Sequence, residues 1–214
     1  GVVFRRCEWA QFYESITPRT RVVLLSMLNY ATGFRPPLEE IQAYLSERGV
    51  LLFVDGTQGV GALKFDVRAC PVAMLAVDAY KWMLSPNGAG FAYVSPELRA
   101  RLQPTQIGWR SDRNWRNPAN LNHGLPEFAE AAERFEGGQL VFPSLYAMTA
   151  VVDWMLEITQ ESIEARVLEL ADWLRSELAA KGAEVSAAGS PIVTALLPGK
   201  DPAALVKSLA EKRI

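Results

Sequence analysis

Cysteine and histidine are scarce in this chain, and no long apolar run is present; each shortage removes a class of protein. Two cysteines among 214 residues, Cys7 and Cys70, are too few and too far apart for a disulfide framework or a cysteine-based zinc site. Their scarcity points to a reducing compartment, with the cytoplasm as the default. His123 is the single histidine, and no nucleophile elbow lies near it, so it reads as a loop histidine and not as part of a Ser-His-Asp triad. Asp66, Asp78 and Asp112 lack a metal-ligand spacing, and no metal is expected. No segment reaches the roughly 18 apolar residues of a membrane span. The longest candidate, 141–155, is broken by Pro143, Ser144, Thr149 and Asp153, so a soluble protein without a membrane partner is expected. Charge of one sign is missing as well: 22 basic against 24 acidic side chains give a net charge of −2. Without a Lys/Arg cluster, no nucleic acid is expected, and small molecules are the expected partners. Gly1 is not an initiator and no targeting signal follows it, so the chain is expected to be a piece of something longer.

What is present is an alternation of strand and helix patterns. Half the residues are hydrophobic, enough for a substantial core. Arg21-Val22-Val23-Leu24-Leu25-Ser26-Met27-Leu28 reads as an interior parallel strand buried on both faces. A helix follows, with Leu38, Ile41 and Leu45 at helical spacing and Gly49 as its stop. Strands are expected at Leu51-Leu52-Phe53-Val54, at 72–77, and at Gly90-Phe91-Ala92-Tyr93-Val94. Asn87-Gly88-Ala89-Gly90 lacks the Lys-Ser/Thr of a P-loop and reads as a tight turn. Residues 103–124 form a long polar and aromatic loop with Trp109, Arg110, Trp115 and Arg116, fit to cover a site or to pack at a dimer interface. Helices are predicted at 126–134, 143–158 and 161–181, the last with Ile163, Val167, Leu170, Leu174 and Leu178 on one face. Short strands at Val185 and 192–197 precede a final helix over 201–212, capped by Asp201 with Pro202 at its first position. The fold class is α/β, with residues 1–158 as a large domain on a mostly parallel sheet and 159–214 as part of a smaller α+β domain.

Asp55-Gly56-Thr57-Gln58 closes one strand and Asp78-Ala79-Tyr80-Lys81-Trp82 closes another. Open α/β sheets bind ligands beyond the carboxyl ends of their strands, so both segments share a rim if their strands run parallel. A rim lysine can form a Schiff base with a cofactor aldehyde, and a nearby carboxylate can keep a pyridine nitrogen protonated, which is the chemistry of pyridoxal 5'-phosphate (PLP). On residues alone, Asp55 as a turn cap and Lys81 as a solvated loop lysine remain alternatives.

Five stretches, in order, resemble the class V aminotransferase superfamily of fold-type I PLP enzymes. They are Thr17-Pro18-Arg19-Thr20-Arg21-Val22-Val23, Tyr30-Ala31-Thr32-Gly33-Phe34, Val54-Asp55-Gly56-Thr57-Gln58, Lys81-Trp82 with the 88–93 segment, and Arg134-Phe135-Glu136-Gly137-Gly138. That group includes cysteine desulfurases, selenocysteine lyases, kynureninases and isopenicillin N epimerase-like proteins. The resemblance implies that Asp55 pairs with the pyridinium nitrogen, that Gln58 hydrogen-bonds the phenolic oxygen, and that Lys81 forms the Schiff base and later acts as acid/base at Cα. It places Tyr80 toward the cofactor phosphate, Asp78 at a position often held by a phosphate ligand or an aspartate, and Asn29 beside the ring. The family's Glu-Gly-Gly-Thr segment, whose threonine reaches the phosphate of the other subunit's cofactor, reads Glu136-Gly137-Gly138-Gln139 here. Gln139 is the residue at that position.

The resemblance implies a homodimeric enzyme acting at Cα or Cβ of a small amino acid, lyase- or desulfurase-like, with aminotransferase or epimerase chemistry as alternatives. Its N-terminal phosphate loop and ring-stacking residue, and its C-terminal carboxylate arginine, lie outside these 214 residues. Cys7 and Cys70 both precede Lys81, whereas the persulfide cysteine of desulfurases follows the lysine, so a persulfide on either is not expected. A non-catalytic remnant of the fold, kept for interaction, is the alternative of another class.

Overall fold

Four short strands form the main sheet: β1 (Val22–Ser26), β2 (Leu51–Asp55), β3 (Met74–Asp78) and β4 (Gly90–Val94), in the order β1-β2-β3-β4. The computed structural model describes residues 1–117, 119 and 124–214, so His123 lies outside the described residues. β1, β2 and β3 pair in parallel, and β4 returns antiparallel to β3 through the turn that contains Gly88. Helix α1 (Leu38–Ser46) connects β1 to β2 and buries Leu38, Ile41 and Leu45. These join Leu52, Val54, Leu75 and Val77 in one core cluster. Each large aliphatic side chain so buried contributes about 1.5–3 kcal/mol.

Parallel pairing of β1 is as expected, but its interior position is not. Among the described residues β1 pairs only with β2, and it lies at the sheet edge with Val22 and Leu24 exposed at 47% and 57%. An apolar run on both faces says that both are suited to burial, not how many neighbours a strand has. The face bearing Val23, Leu52, Val54, Leu75 and Val77 is buried, while Leu51, Phe53, Met74 and Ala76 on the other are half-buried.

Helix α2 (Pro96–Arg101) was not anticipated, although its signal is present: Ser95 accepts the Leu98 amide at 3.2 Å and Pro96 occupies the first turn. Residues 126–134 do not form the expected helix. The Glu127 amide donates to an Asp112 carboxylate oxygen (3.0 Å), the Arg113 amide to the Glu127 carbonyl (2.8 Å) and the Ala129 amide to the Ser111 carbonyl (3.4 Å). These bonds hold the segment extended beside residues 111–113, and only Ala132–Phe135 winds into a 3-10 turn.

Helices α3 (Phe142–Ile158) and α4 (Gln160–Ala180) follow, then the two-residue strands β5 (Glu184–Val185) and β6 (Ala195–Leu196), and α5 (Pro202–Glu211). Asp201 caps α5 by accepting the Ala203 and Ala204 amides, as predicted. The expected apolar face of α4 is rotated. Leu170 and Leu174 are exposed, and the buried line runs through Ile163, Val167, Ala171 and Arg175. Arg175 occupies a core position because each nitrogen of its guanidinium donates: to the carbonyls of Ser186 (3.2 Å), Ser190 (2.7 Å) and Ile192 (3.1 Å) and to Asp172 (2.8 Å).

Two outcomes follow from this burial. Arg175→Met leaves three carbonyls of the 186–192 loop without a donor and is expected to lower unfolding free energy by about 2–4 kcal/mol. An unchanged midpoint in a urea titration would contradict it. Burial, assisted by Glu39, pushes the Cys70 thiol from its ordinary 9.0 up to about 11. Its neutral form therefore favours folding below the unfolded-state value, and that contribution is lost as pH rises through 11. At pH 8 a disulfide reagent should titrate one thiol per native chain, the exposed Cys7, and the second only in denaturant.

Candidate active site at the carboxyl rim of the sheet

Parallel register brings the ends of β1, β2 and β3 together. Ser26 pairs with Asp55, the Met27 amide donates to the Asp55 carbonyl (2.8 Å), and the Gly56 amide donates to the Ala76 carbonyl (2.8 Å). Asp55 begins the exit from β2: its Oδ1 accepts the Thr57 amide at 3.0 Å, a local turn that aspartate favours. The Thr57 hydroxyl then accepts the Asp78 amide at 3.0 Å, tying the ends of β2 and β3 side by side. Thr57 stood inside the quoted motif without a role; its only signal was a hydroxyl two residues past a strand end. The structure thus brings Asp55, Gln58, Asp78 and the Lys81 turn to one rim.

The Lys81 turn is held by its backbone. The Ala79 amide donates to the Ala89 carbonyl (3.1 Å), the Ser85 amide to the Ala79 carbonyl (3.0 Å) and the Leu84 amide to the Lys81 carbonyl (2.9 Å). Ala79 and Met83 are buried, and Trp82 packs on the core. Tyr80 points outward, with Lys81 Nζ 5.6 Å from its ring centroid. From the other side, Gly61 (φ +101°) presses on this turn. A Cβ there would lie 2.6 Å from the Trp82 carbonyl carbon and oxygen and 2.9 Å from the Met83 nitrogen, so both the dihedral and the approach require glycine.

The remaining candidates fall elsewhere. Asn29 is exposed just past β1, and its Oδ1 accepts the Ala31 and Thr32 amides (2.9 and 3.0 Å). Gln139 is exposed on the segment before α3. Trp109 and Trp115 meet edge to face at 5.3 Å, and the Arg110 and Arg116 guanidinium carbons lie 4.4 and 4.2 Å from the Trp115 centroid. Ion pairs from Arg110 to Glu136 (2.9 Å) and from Arg116 to Glu133 (3.3 Å) fasten this cluster to residues 133–136.

Two concavities of about 530 and 420 Å³ open on the surface, one between residues 32–35 and the β5–β6 hairpin, the other between α1 and residues 64–70. Asp55, Gln58 and Lys81 line neither of these two. The donor set at the rim fits PLP: a carboxylate and a primary amine stand on one rim, and neither is taken by an ion pair among the described residues.

The mostly parallel sheet and its flanking helices have the fold of the fold-type I PLP enzymes. The chain belongs to the class V aminotransferase family, whose model matches residues 4–214, and that family uses PLP. It is 30% identical over 213 residues to isopenicillin N epimerase of Streptomyces clavuligerus, covering 91% of this chain and 51% of the relative. It is 34% identical over 127 residues to the mitochondrial cysteine desulfurase of Drosophila melanogaster, covering 58% and 27%. Among solved structures, the complex of the cystine C-S lyase C-DES with its product cysteine persulfide superposes with a TM-score of 0.83 at 28% identity, covering 96% of this chain and 55% of that one. A lysine-to-alanine mutant of C-DES with glycine covalently linked to the PLP cofactor gives 0.84 at 27% identity, covering 96% and 55%. The chain spans about half the length of the first curated relatives it matches.

Gly61→Ala tests the backbone contact behind Lys81. Left-handed strain and the overlap with Trp82 are expected to lower stability by about 2–3 kcal/mol. Hydrogen exchange should show the Leu84 and Ser85 amides opening more than those of α1; equal protection of both segments in variant and wild type would refute the contact.

Proposed function

We propose that Lys81 forms a Schiff base with PLP and that the parent enzyme acts at Cα or Cβ of an amino acid with a lyase- or desulfurase-like outcome. The observation that carries this reading is the placement of Asp55 and the Lys81 turn on one rim of parallel strands. Bound there, the cofactor supplies an electron sink for bonds at the substrate's Cα. Asp55 holds a proton at the ring nitrogen, its orientation set by the Thr57 amide. Gln58 hydrogen-bonds the phenolic oxygen. Lys81 would hold the cofactor as a Schiff base and, as a free amine, would move a proton at the substrate's Cα. Tyr80 contributes a phosphate donor, Asp78 stands on the same phosphate side, and Asn29 and Gln139 offer amide donors at the ring side and to a second subunit.

Neither cysteine of this chain suits a persulfide carrier: Cys70 is buried, and Cys7 lies far before the lysine in sequence. C–S lyase chemistry is favoured by the likeness to C-DES. Epimerisation is the second reading, favoured by the 30% identity to isopenicillin N epimerase. Exposed Phe142, Tyr146 and Trp154 on α3 support a homodimer in which this helix is covered. We divide the chain into 1–158 for the cofactor and 159–214 for a second unit, and assign it to the cytoplasm from its two unpaired cysteines.

Added PLP should give the purified chain a visible band that borohydride bleaches, with the mass adduct on a Lys81 peptide. Lys81→Ala should abolish the adduct, and Asp55→Ala should weaken binding roughly tenfold or more, the range for losing a charge-assisted hydrogen bond. A chain that shows no band at saturating PLP would support the non-catalytic remnant instead.

A further inference from the structure

We propose that Gln160, the first residue of α4, is a positioning residue for the Lys81 turn; its bearing on chemistry rests on the reading of Lys81 given above. Gln160 Nε2 donates to the Gly61 carbonyl at 3.1 Å across 99 residues of sequence. Gly61 is the residue against which the Trp82 carbonyl and Met83 amide rest, and its peptide is held at both ends, at the carbonyl by Gln160 and at the Ala62 amide by the Gly59 carbonyl (3.0 Å), so the turn bearing Lys81 leans on a peptide that Gln160 helps to fix. A glycine peptide rotates more freely than any other, and a side-chain donor on its carbonyl removes that freedom.

The surroundings hold Gln160 in place. Thr159 joins α3 to α4 at φ 73° and ψ 140°, a conformation that L-residues rarely adopt, and its hydroxyl accepts the Ser162 amide at 3.3 Å to cap the helix. Two neighbours grip the same loop. Lys64 Nζ meets Glu161 Oε1 at 2.6 Å, and the Lys64 amide donates to Glu164 Oε2 at 3.1 Å, while Glu164 also faces Arg35 at 3.6 Å. Glu161 and Lys64 hold each other charged: the hydrogen bond between them raises the lysine's pKa and lowers the carboxyl's. Both contacts are solvent-exposed and three residues from Gly61, so water and salt weaken them. Among the described residues, the Gln160 bond is the one that acts on the Gly61 carbonyl itself.

The test compares Gln160→Glu and Gln160→Ala with the wild-type chain. Glutamate keeps the side chain's size and suits a helix N-terminus, yet cannot donate to a carbonyl, so it separates helix stability from positioning. In cofactor-free protein, hydrogen exchange at the Leu84 and Ser85 amides is expected to rise roughly tenfold in both variants, with α1 unchanged. With PLP added, the affinity should fall several-fold and the pH midpoint of the Lys81 absorption band should move. Unchanged exchange at Leu84 and Ser85, or an equal rise throughout the sheet, overturns the proposal. If wild type gives no borohydride-sensitive adduct on Lys81, the cofactor reading falls, and the exchange comparison still decides whether Gln160 positions the turn.

Discussion

Parallel pairing of β2 with β3 is the constraint on which the site depends. A five-residue strand is about 17 Å long, so reversing either strand would move its terminal residues to the opposite rim. With Phe53 opposite Met74 and Asp55 opposite Ala76, both strands deliver their acids to the same edge, and Lys81 follows three residues on. Parallel strands need a long crossover. Here residues 56–73 make it without a regular helix, folding back through Gly56–Gly61 and burying Ala62 and Leu63. β4 then returns antiparallel, so the whole Lys81 turn is confined between a strand end and a hairpin.

The rim loops are in turn fastened to the last third of the chain. Gly33 (φ +72°) approaches so close that a Cβ would lie 2.5 Å from the Ile192 carbonyl, the Thr194 hydroxyl donates to the Thr32 carbonyl (3.3 Å), and Arg35 donates to the Gly189 carbonyl (3.2 Å). The 186–192 loop that receives them is shaped from within by Arg175. Exposed ion pairs contribute little by themselves, up to about 1 kcal/mol. The weight therefore rests on the buried guanidinium and on close backbone contacts. The loop after β1 is bound through 189–194 and the loop after β2 through the start of α4, so the chain from α4 onward braces both.

Features carried by short windows of sequence were legible. β4 falls on its expected residues, β2 extends one residue to Asp55, and α5 starts at its predicted cap, because glycine, aspartate and proline mark those ends locally. That Asp55 and the Lys81 turn share a rim was legible because both segments close predicted strands, and parallel pairing brings those ends together. What failed depended on distant partners. The 126–134 segment has a helical pattern, but its amides are taken by residues 111–113. Arg175 looks like a surface residue until the carbonyls of 186–192 are placed around it. Thr57 and Gln160 are ordinary polar residues whose meaning comes from contacts 21 and 99 residues away.

Asp55 and Lys81 carry opposite charges on one rim, yet each is held by something other than its counterpart. Asp55 is oriented by the Thr57 amide, and the Lys81 backbone is fixed by the Ala79, Leu84 and Ser85 hydrogen bonds. An exposed pair between them would add at most about 1 kcal/mol, so little stability is forgone by keeping them apart. The chemical difference is large. A lysine neutralised by its own carboxylate is a poor nucleophile, and a carboxylate satisfied by lysine does not hold a proton on a ring nitrogen. Orienting each group through the backbone leaves neither taken by the other, and it rests the positions of both on the contacts at Thr57 and Gly61.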